Sequence, residues 1–130
     1  MSISYLTMYA TKATIKCNSR DYFRYLLELL RVFNPFKKLD NRTLEVFAEM
    51  LYYYNECPSD DDEEKIKYIS QNVTNICKRL NISKSSFYNK INILRKAGLI
   101  NYKNPAKQYR FKLEPLVVFE FTFNNDTVRS

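Results

Sequence analysis

The sequence predicts a mostly helical domain with a small β-sheet, that is, an α+β fold. Its 130 residues are the length of one domain and suffice for a hydrophobic core. Apolar residues recur at helical spacing through much of the chain up to Gly98. Beyond Gly98, two short runs alternate apolar and polar residues around a turn that contains proline, which is the pattern of a β-hairpin.

Residues 1–38 are predicted to form an N-terminal region. Residues 3–16 are rich in Ile, Tyr, Thr and Met and indicate a strand or an extended arm. Asn18 or Ser19 can cap a helix that covers residues 19–33 and stops at the Asn-Pro pair after it. Apolar residues cover more than one face of this helix, so we expect it to be buried on two sides or to form a subunit interface.

Two more helices are predicted before the middle of the chain. One opens at Asp40 or Asn41 and runs to about Tyr54, with a single buried stripe at the spacing i, i+3, i+4 and i+7. The acidic insert at residues 56–64 is expected to form a loop, and its carboxylates suit the positive end of the dipole of the next helix. That next helix is expected to direct its two isoleucines inward.

The charge of the chain is distributed unevenly. The formal net charge is +7, yet residues 65–113 contain twelve Lys or Arg and no Asp or Glu. Residues 40–64 contain nine acids and a single base, Arg42. A solvated surface ordinarily mixes both signs, so an acid-free stretch of 49 residues indicates a surface that meets phosphate.

Two helices joined by a tight turn are predicted inside this acid-free stretch. Thr74 can cap the first, Asn81 tolerates the left-handed conformation of a sharp turn, and Ser83 can cap the second. The second helix covers residues 84–97, and Gly98 ends it.

The second of these helices has two different sides. Phe87, Ile91 and Leu94 are expected to face the core. The other side carries Lys84, Ser85, Tyr88, Asn89, Asn92 and Lys96. Every side chain in this polar set can donate a hydrogen bond, and none of them is acidic.

A β-hairpin with a basic tip is predicted to follow. Residues 99–103 and 108–113 supply its strands, and residues 104–107 form its turn. A later run, residues 116–123, has high β propensity and one charge, so it needs a strand to pair with. That partner is the domain's own sheet, the N-terminal arm or a second subunit, and residues 124–130 form a tail.

The spacing of apolar residues across the helix pair carries a resemblance to a known family. The pattern joins Ile76, Leu80, Ile82-Ser83, Ile91, Leu94 and Lys96-Ala97-Gly98-Leu99-Ile100, and a basic hairpin follows it. This pattern resembles the winged helix-turn-helix family. The resemblance implies a DNA-binding domain over residues 39–123, with residues 84–97 as the recognition helix in the major groove and the hairpin 99–113 as the wing. Asn81 stands where the family commonly has glycine, and the acidic insert is unusual for it.

The resemblance and the chemistry of the groove give each polar residue an expected role. An amide pairs bidentately with adenine, so Asn89 and Asn92 are candidates for reading bases. Ser85 and Tyr88 are candidates for contacts with bases or phosphates. The expected phosphate contacts are Lys84, Lys90, Lys96, Lys103, Lys107 and Arg110. The alternative for each of these residues is that it contacts no DNA and is simply part of the solvated surface or of the edge of the core.

Together these features predict a non-enzymatic protein that binds duplex DNA, a transcriptional or replication regulator of a phage or similar mobile element. One recognition helix reads only a few base pairs, so we expect a homodimer on two half-sites. Its interface is expected on the N-terminal helix, through Leu26, Leu30 and their neighbours. The alternative is a structural or assembly protein, such as a phage virion or packaging component, that uses the winged helix to dock other proteins.

The composition argues against several other classes. The chain has no histidine and one glycine, which excludes His-dependent catalysis, His-ligated zinc and a glycine-rich phosphate loop. Its three cysteines are spaced neither for a metal site nor for a disulfide framework. The sequence shows neither a long apolar run nor the pattern of a signal peptide. We therefore expect no cofactor, metal or membrane partner, and a cytoplasmic location that leaves nucleoid or virion association open.

Overall fold

The computed structural model describes residues 16–101 and 104–113. Within these residues lie five α-helices: α1 (Ser19–Leu29), α2 (Asn41–Glu56), α3 (Asp62–Gln71), α4 (Val73–Leu80) and α5 (Lys84–Lys96). A two-stranded antiparallel sheet follows, formed by β1 (Ile100–Asn101) and β2 (Asn104–Pro105). The predicted α+β class is confirmed. The predicted strand at 116–123, the tail and nearly all of the predicted arm at 3–16 lie outside the described residues.

Helix α2 is the centre of the fold. It packs against α1, α3, α4, α5 and β2. Val46, Phe47, Met50 and Leu51 are all fully buried along it. The sequence pattern predicts a single buried stripe, whereas the structure buries more than one face because other elements surround this helix. Asp40 caps its first turn, as predicted, by accepting a hydrogen bond from the backbone N–H of Thr43 at 2.7 Å.

Helix α1 is shorter than predicted. Its α-helical part stops at Leu29, and a 3-10 turn covers Leu30–Val32 before the chain turns toward α2. Asn18 is the cap, since its side chain accepts from the backbone N–H of Asp21 at 2.9 Å. Phe23 and Leu27 anchor the helix in the core that α2 also fills.

The apolar side chains of α1 are divided between the core and the solvent. Leu26 is only 9% exposed, and Leu30 packs against the core half-buried. The expectation that Leu26 lies at a dimer interface is therefore wrong, because it shares the inward side of the helix with Phe23 and Leu27. The apolar residues that do face solvent in this region are Tyr25, Leu29, Val32 and Phe33.

Helix α3 begins at Asp62, inside the acidic insert for which a loop is predicted, while the acids lie at the start of the helix as predicted. Asp61 caps it by accepting from the backbone N–H of Glu64 at 3.1 Å, and its first turn carries three acids at the positive end of the helix dipole. Of its two isoleucines, Ile69 is fully buried and Ile66 is half-buried. Lys65 is buried as well, because its ammonium group donates to the backbone carbonyl oxygen of Tyr54 at 2.7 Å.

Asn72 separates α3 from α4. Helix α4 begins at Val73, so the predicted cap Thr74 lies inside its first turn. The amide of Asn72 donates to the carbonyl oxygen of Tyr68 at 2.8 Å and makes no cap bond to α4. The chain therefore passes from one helix to the next with a single residue between them.

The hairpin after α5 is tighter than the sequence pattern predicts. Ile100 pairs with Pro105 and Asn101 with Asn104, and residues 102–103 between the two strands are outside the described residues. The predicted turn at 104–107 and strand at 108–113 are wrong. Residues 107–109 form a 3-10 turn, and residues 110–113 form neither helix nor strand.

A long-range hydrogen bond explains the shift of the hairpin. The side-chain amide of Asn104 donates to the backbone carbonyl oxygen of Asp62 at the start of α3, at 3.0 Å. Asn104 is consequently buried, where a solvated turn is expected from its sequence neighbours. The alternating aromatics Tyr109 and Phe111 pack against Phe36 instead of extending a strand.

Candidate nucleic-acid interface

The turn between α4 and α5 has the predicted geometry. Asn81 adopts the left-handed conformation, with φ of 54° and ψ of 52°. The backbone N–H of Ile82 returns to the carbonyl oxygen of Cys77 at 3.0 Å, and the Ile82 side chain packs against the core. Ser83 caps α5 by accepting from the backbone N–H of Ser86 at 3.0 Å. These local interactions fix the direction in which α5 leaves the turn.

The other end of α5 is fixed equally firmly. Gly98 has a positive φ of 79°, a conformation that favours glycine. The backbone N–H of Leu99 donates to the carbonyl oxygen of Leu94, and that of Gly98 to Arg95, each at 3.0 Å. Leu94 and Leu99 are both fully buried, so the helix end and the start of the hairpin share one apolar anchor.

The polar side of α5 faces solvent along its whole length. Phe87, Ile91 and Leu94 are buried on the opposite side, as predicted. The full polar set predicted from the sequence is exposed: Lys84, Ser85, Tyr88, Asn89, Asn92 and Lys96. At about 100° per residue, the positions farthest from the core are Ser85, Asn89, Asn92 and Lys96. Two amides therefore occupy the middle of an acid-free side, and an ammonium group lies at each end.

The cations of residues 65–113 are not all on the surface. Among the described residues, eight of them are exposed: Lys67, Lys78, Arg79, Lys84, Arg95, Lys96, Lys107 and Lys112. Two of these eight pair with carboxylates, Lys67 with Glu64 and Arg79 with Asp21 and Glu49. Others bond to groups of the protein itself, as Lys65 does to Tyr54. Some cations of the acid-free stretch therefore face solvent, and others form hydrogen bonds or ion pairs within the protein.

Two predicted phosphate contacts are half-buried and pair with carboxylates of the protein itself. The ammonium nitrogen of Lys90 lies 3.8 Å from a carboxylate oxygen of Asp40, and its side chain is half-buried. The guanidinium of Arg110 donates to the backbone carbonyl oxygen of Pro105 at 2.9 Å and to the carboxylate of Asp62 at 3.3 Å. Arg110 thus fastens the hairpin to the start of α3, a role that its sequence position did not indicate. Lys107 is exposed, and Lys103 lies outside the described residues.

Two exposed residues on α5 were not singled out by the sequence analysis. The guanidinium of Arg95 donates to the side-chain oxygen of Asn92 at 3.0 Å, which links a cation to a predicted base-reading amide. Ile93 is 41% exposed, whereas Phe87, Ile91 and Leu94 of the same helix are buried. The only sequence signal for the hydrogen bond between Arg95 and Asn92 was their i, i+3 spacing on one helix.

Neither models of protein families, nor curated proteins, nor solved structures gave a match to this chain. Among the described helices, none has the length and apolar character needed to cross a membrane. Within the same residues, the acidic and cysteine side chains form no group able to hold a metal ion.

Proposed function

We propose that this protein binds duplex DNA through the exposed side of α5 and acts as a non-enzymatic, winged-helix-type regulator of transcription or replication. The observation that carries the proposal is the composition of that side. It presents amides at its centre, ammonium groups at both ends and no carboxylate anywhere along it. Side chains that all donate hydrogen bonds, with no carboxylate among them, suit a surface of phosphate oxygens and of base edges.

The dimensions of α5 suit a major groove. An α-helix with its side chains is about 10–12 Å across, and the groove is about 12 Å wide. Asn89 and Asn92 lie on the side farthest from the core, so they reach deepest into the groove. Lys84 and Lys96 are separated by about 18 Å along the helix axis, which lets each meet a phosphate at a different edge of the groove.

In this proposal the hairpin after α5 serves as the wing. Leu99 ties it to the end of the helix, and the bonds of Asn104 and Arg110 to Asp62 tie it to α3. Lys107 remains exposed on the segment that follows β2. A hairpin held at two points brings this cation toward the DNA backbone without needing a base contact.

We also propose that two copies associate through the exposed apolar residues of the α1 region: Tyr25, Leu29, Val32 and Phe33. Val32 is 70% exposed, and the spacing of the four residues places them on one side of the helix and its 3-10 extension. The neighbouring charged residues Arg24, Glu28 and Arg31 carry both signs, so a two-fold arrangement can pair opposite charges around the apolar contact. Helices α1 and α5 both pack on α2, and the proposed interface uses none of the α5 residues that are proposed to meet DNA.

A comparison of cognate and random DNA tests the proposed function. A duplex is first selected from random sequences with the full chain, and its affinity is then compared with that of a scrambled duplex. Asn89→Ala and Asn92→Ala should each cost about 1–3 kcal/mol on the selected duplex and little on the scrambled one. Asn41→Ala removes an exposed amide outside α5 and should alter neither. Absence of duplex binding, or equal losses on both duplexes, would contradict the proposal.

A further inference from the structure

One apolar side chain lies among the donors on the exposed surface of α5. Ile93 is 41% exposed, whereas Phe87, Ile91 and Leu94 on the same helix are buried. It follows Asn89 by four residues, so the two side chains are neighbours on the helix surface, about 5–6 Å apart at their Cβ atoms. The apolar group therefore lies directly beside an amide that is placed to read a base.

The stability of the helix gives no reason for isoleucine at this position. A β-branched side chain loses rotamer freedom in a helix, and alanine, lysine and glutamate all have higher helix propensity. Its exposure also means that much of its apolar surface stays in contact with water. A single exposed isoleucine is not unusual by itself, but this one lies within the surface that the proposed function assigns to the groove.

Among the groups that bases present in the major groove, one is apolar. The C5-methyl of thymine projects there beside the acceptor O4, while adenine, guanine and cytosine present polar atoms at their edges. An aliphatic side chain that covers this methyl group removes both apolar surfaces from water. Asn89, one helical turn before Ile93, can pair with the N6 and N7 of an adjacent adenine.

We propose that Ile93 is a specificity-determining residue that contacts the C5-methyl group of a thymine in the bound duplex. This proposal rests on the proposed function and deepens it, because it gives the recognised site a chemical character. The site contains a thymine next to the base pair that Asn89 reads, and the preference for that thymine comes from its methyl group.

Replacing thymine by deoxyuridine tests this inference, since only the methyl group is lost and base pairing is kept. Each thymine of the selected duplex is replaced in turn, and affinity for the full chain is measured. One replacement should weaken binding about fourfold, the effect expected for removing one buried methyl group. Ile93→Ala should bind the thymine and deoxyuridine duplexes equally, and Ile93→Val should retain part of the difference. Leu113→Ala, which shortens an exposed apolar side chain outside α5, should leave the ratio unchanged.

The outcomes separate this inference from the function on which it rests. If the chain binds a selected duplex and every thymine replacement is neutral, the role of Ile93 is wrong and DNA binding stands. If the ratio persists in Ile93→Ala, another residue reads the methyl group and the assignment is again wrong. If the chain binds no duplex DNA at all, the proposed function fails and this inference fails with it.

Discussion

The guanidinium of Arg79 on α4 lies 3.3 Å from the carboxylate of Glu49 on α2, measured between Nε and Oε2. Glu49 is only 5% exposed and also accepts a hydrogen bond from Arg20 on α1 at 2.9 Å. Burial raises the pKa of Glu49, while the charges of Arg20 and Arg79 oppose that rise. One buried carboxylate thus connects three helices and holds α4, the helix that positions α5.

Removing Arg79 should destabilise the fold. Arg79→Ala leaves Glu49 buried with one cation fewer and should lower the free energy of unfolding by about 1–3 kcal/mol. Urea unfolding followed by circular dichroism measures this change. Lys78→Ala, which removes the same charge from an exposed neighbouring position, should stay within about 0.5 kcal/mol of the unmodified chain. Equal effects of the two substitutions would show that the link to Glu49 contributes nothing.

The cap of α2 should give a measurable pH dependence. The backbone N–H of Thr43 and the nearby Lys90 hold the pKa of Asp40 below its usual range. The ionised Asp40 side chain therefore contributes fully to stability above the unfolded-state pKa of about 3.9. This contribution is lost as the pH falls through the lower pKa of the folded state. Asp40→Ala should cost about 1 kcal/mol at neutral pH.

Asp40→Asn keeps a cap acceptor but cannot ionise, which makes it the matched control for that pH dependence. The stability difference between the unmodified chain and Asp40→Asn should therefore shrink as the pH is lowered past about 4. Urea titrations at a series of pH values measure it. A stability difference that grows toward acid pH would show that the pKa of Asp40 is not lowered in the folded state.

Two substitutions one turn apart on α1 should behave differently. Leu26→Asp places a charge against the core and should lower the free energy of unfolding by at least about 3 kcal/mol. Leu29→Asp alters an exposed residue and should leave the fold intact while converting a dimer to a monomer. Light scattering and circular dichroism on both variants measure the two effects. A monomeric unmodified chain, or a Leu29→Asp variant that still dimerises, would contradict the proposed interface.

The exposed lysines should contribute to affinity without contributing to selectivity. Lys84→Ala, Lys96→Ala and Lys107→Ala should each weaken binding to selected and scrambled duplexes alike and reduce the salt slope by about 1. Lys67→Ala removes an equal charge from an exposed residue of α3 and should change the slope little. Larger losses on the selected duplex alone would reassign the lysine concerned to base contact.

Local chemistry explains why the helix boundaries near the candidate site could be predicted. The cap at Ser83, the left-handed turn at Asn81 and the end at Gly98 each depend on a residue and its nearest neighbours. The exposed set on α5 follows from the same local periodicity, because three buried residues at helical spacing fix which side faces solvent.

Long-range contacts explain what could not be predicted. The hairpin register depends on the bond from Asn104 to Asp62, 42 residues away in sequence. The pairing of Lys90 with Asp40 and of Arg110 with Asp62 depends on carboxylates that lie outside residues 65–113, so no pattern within those residues reveals it. The division of α1 between core and solvent likewise requires knowing where α2 lies.

A salt titration of DNA binding tests the central claim most directly. The full chain is titrated with a duplex at several salt concentrations, and log K is plotted against log salt concentration. If about six of the exposed cations of residues 65–113 meet phosphates, the slope should be about −5. A slope near zero with measurable binding, or no binding at low salt, would contradict the account.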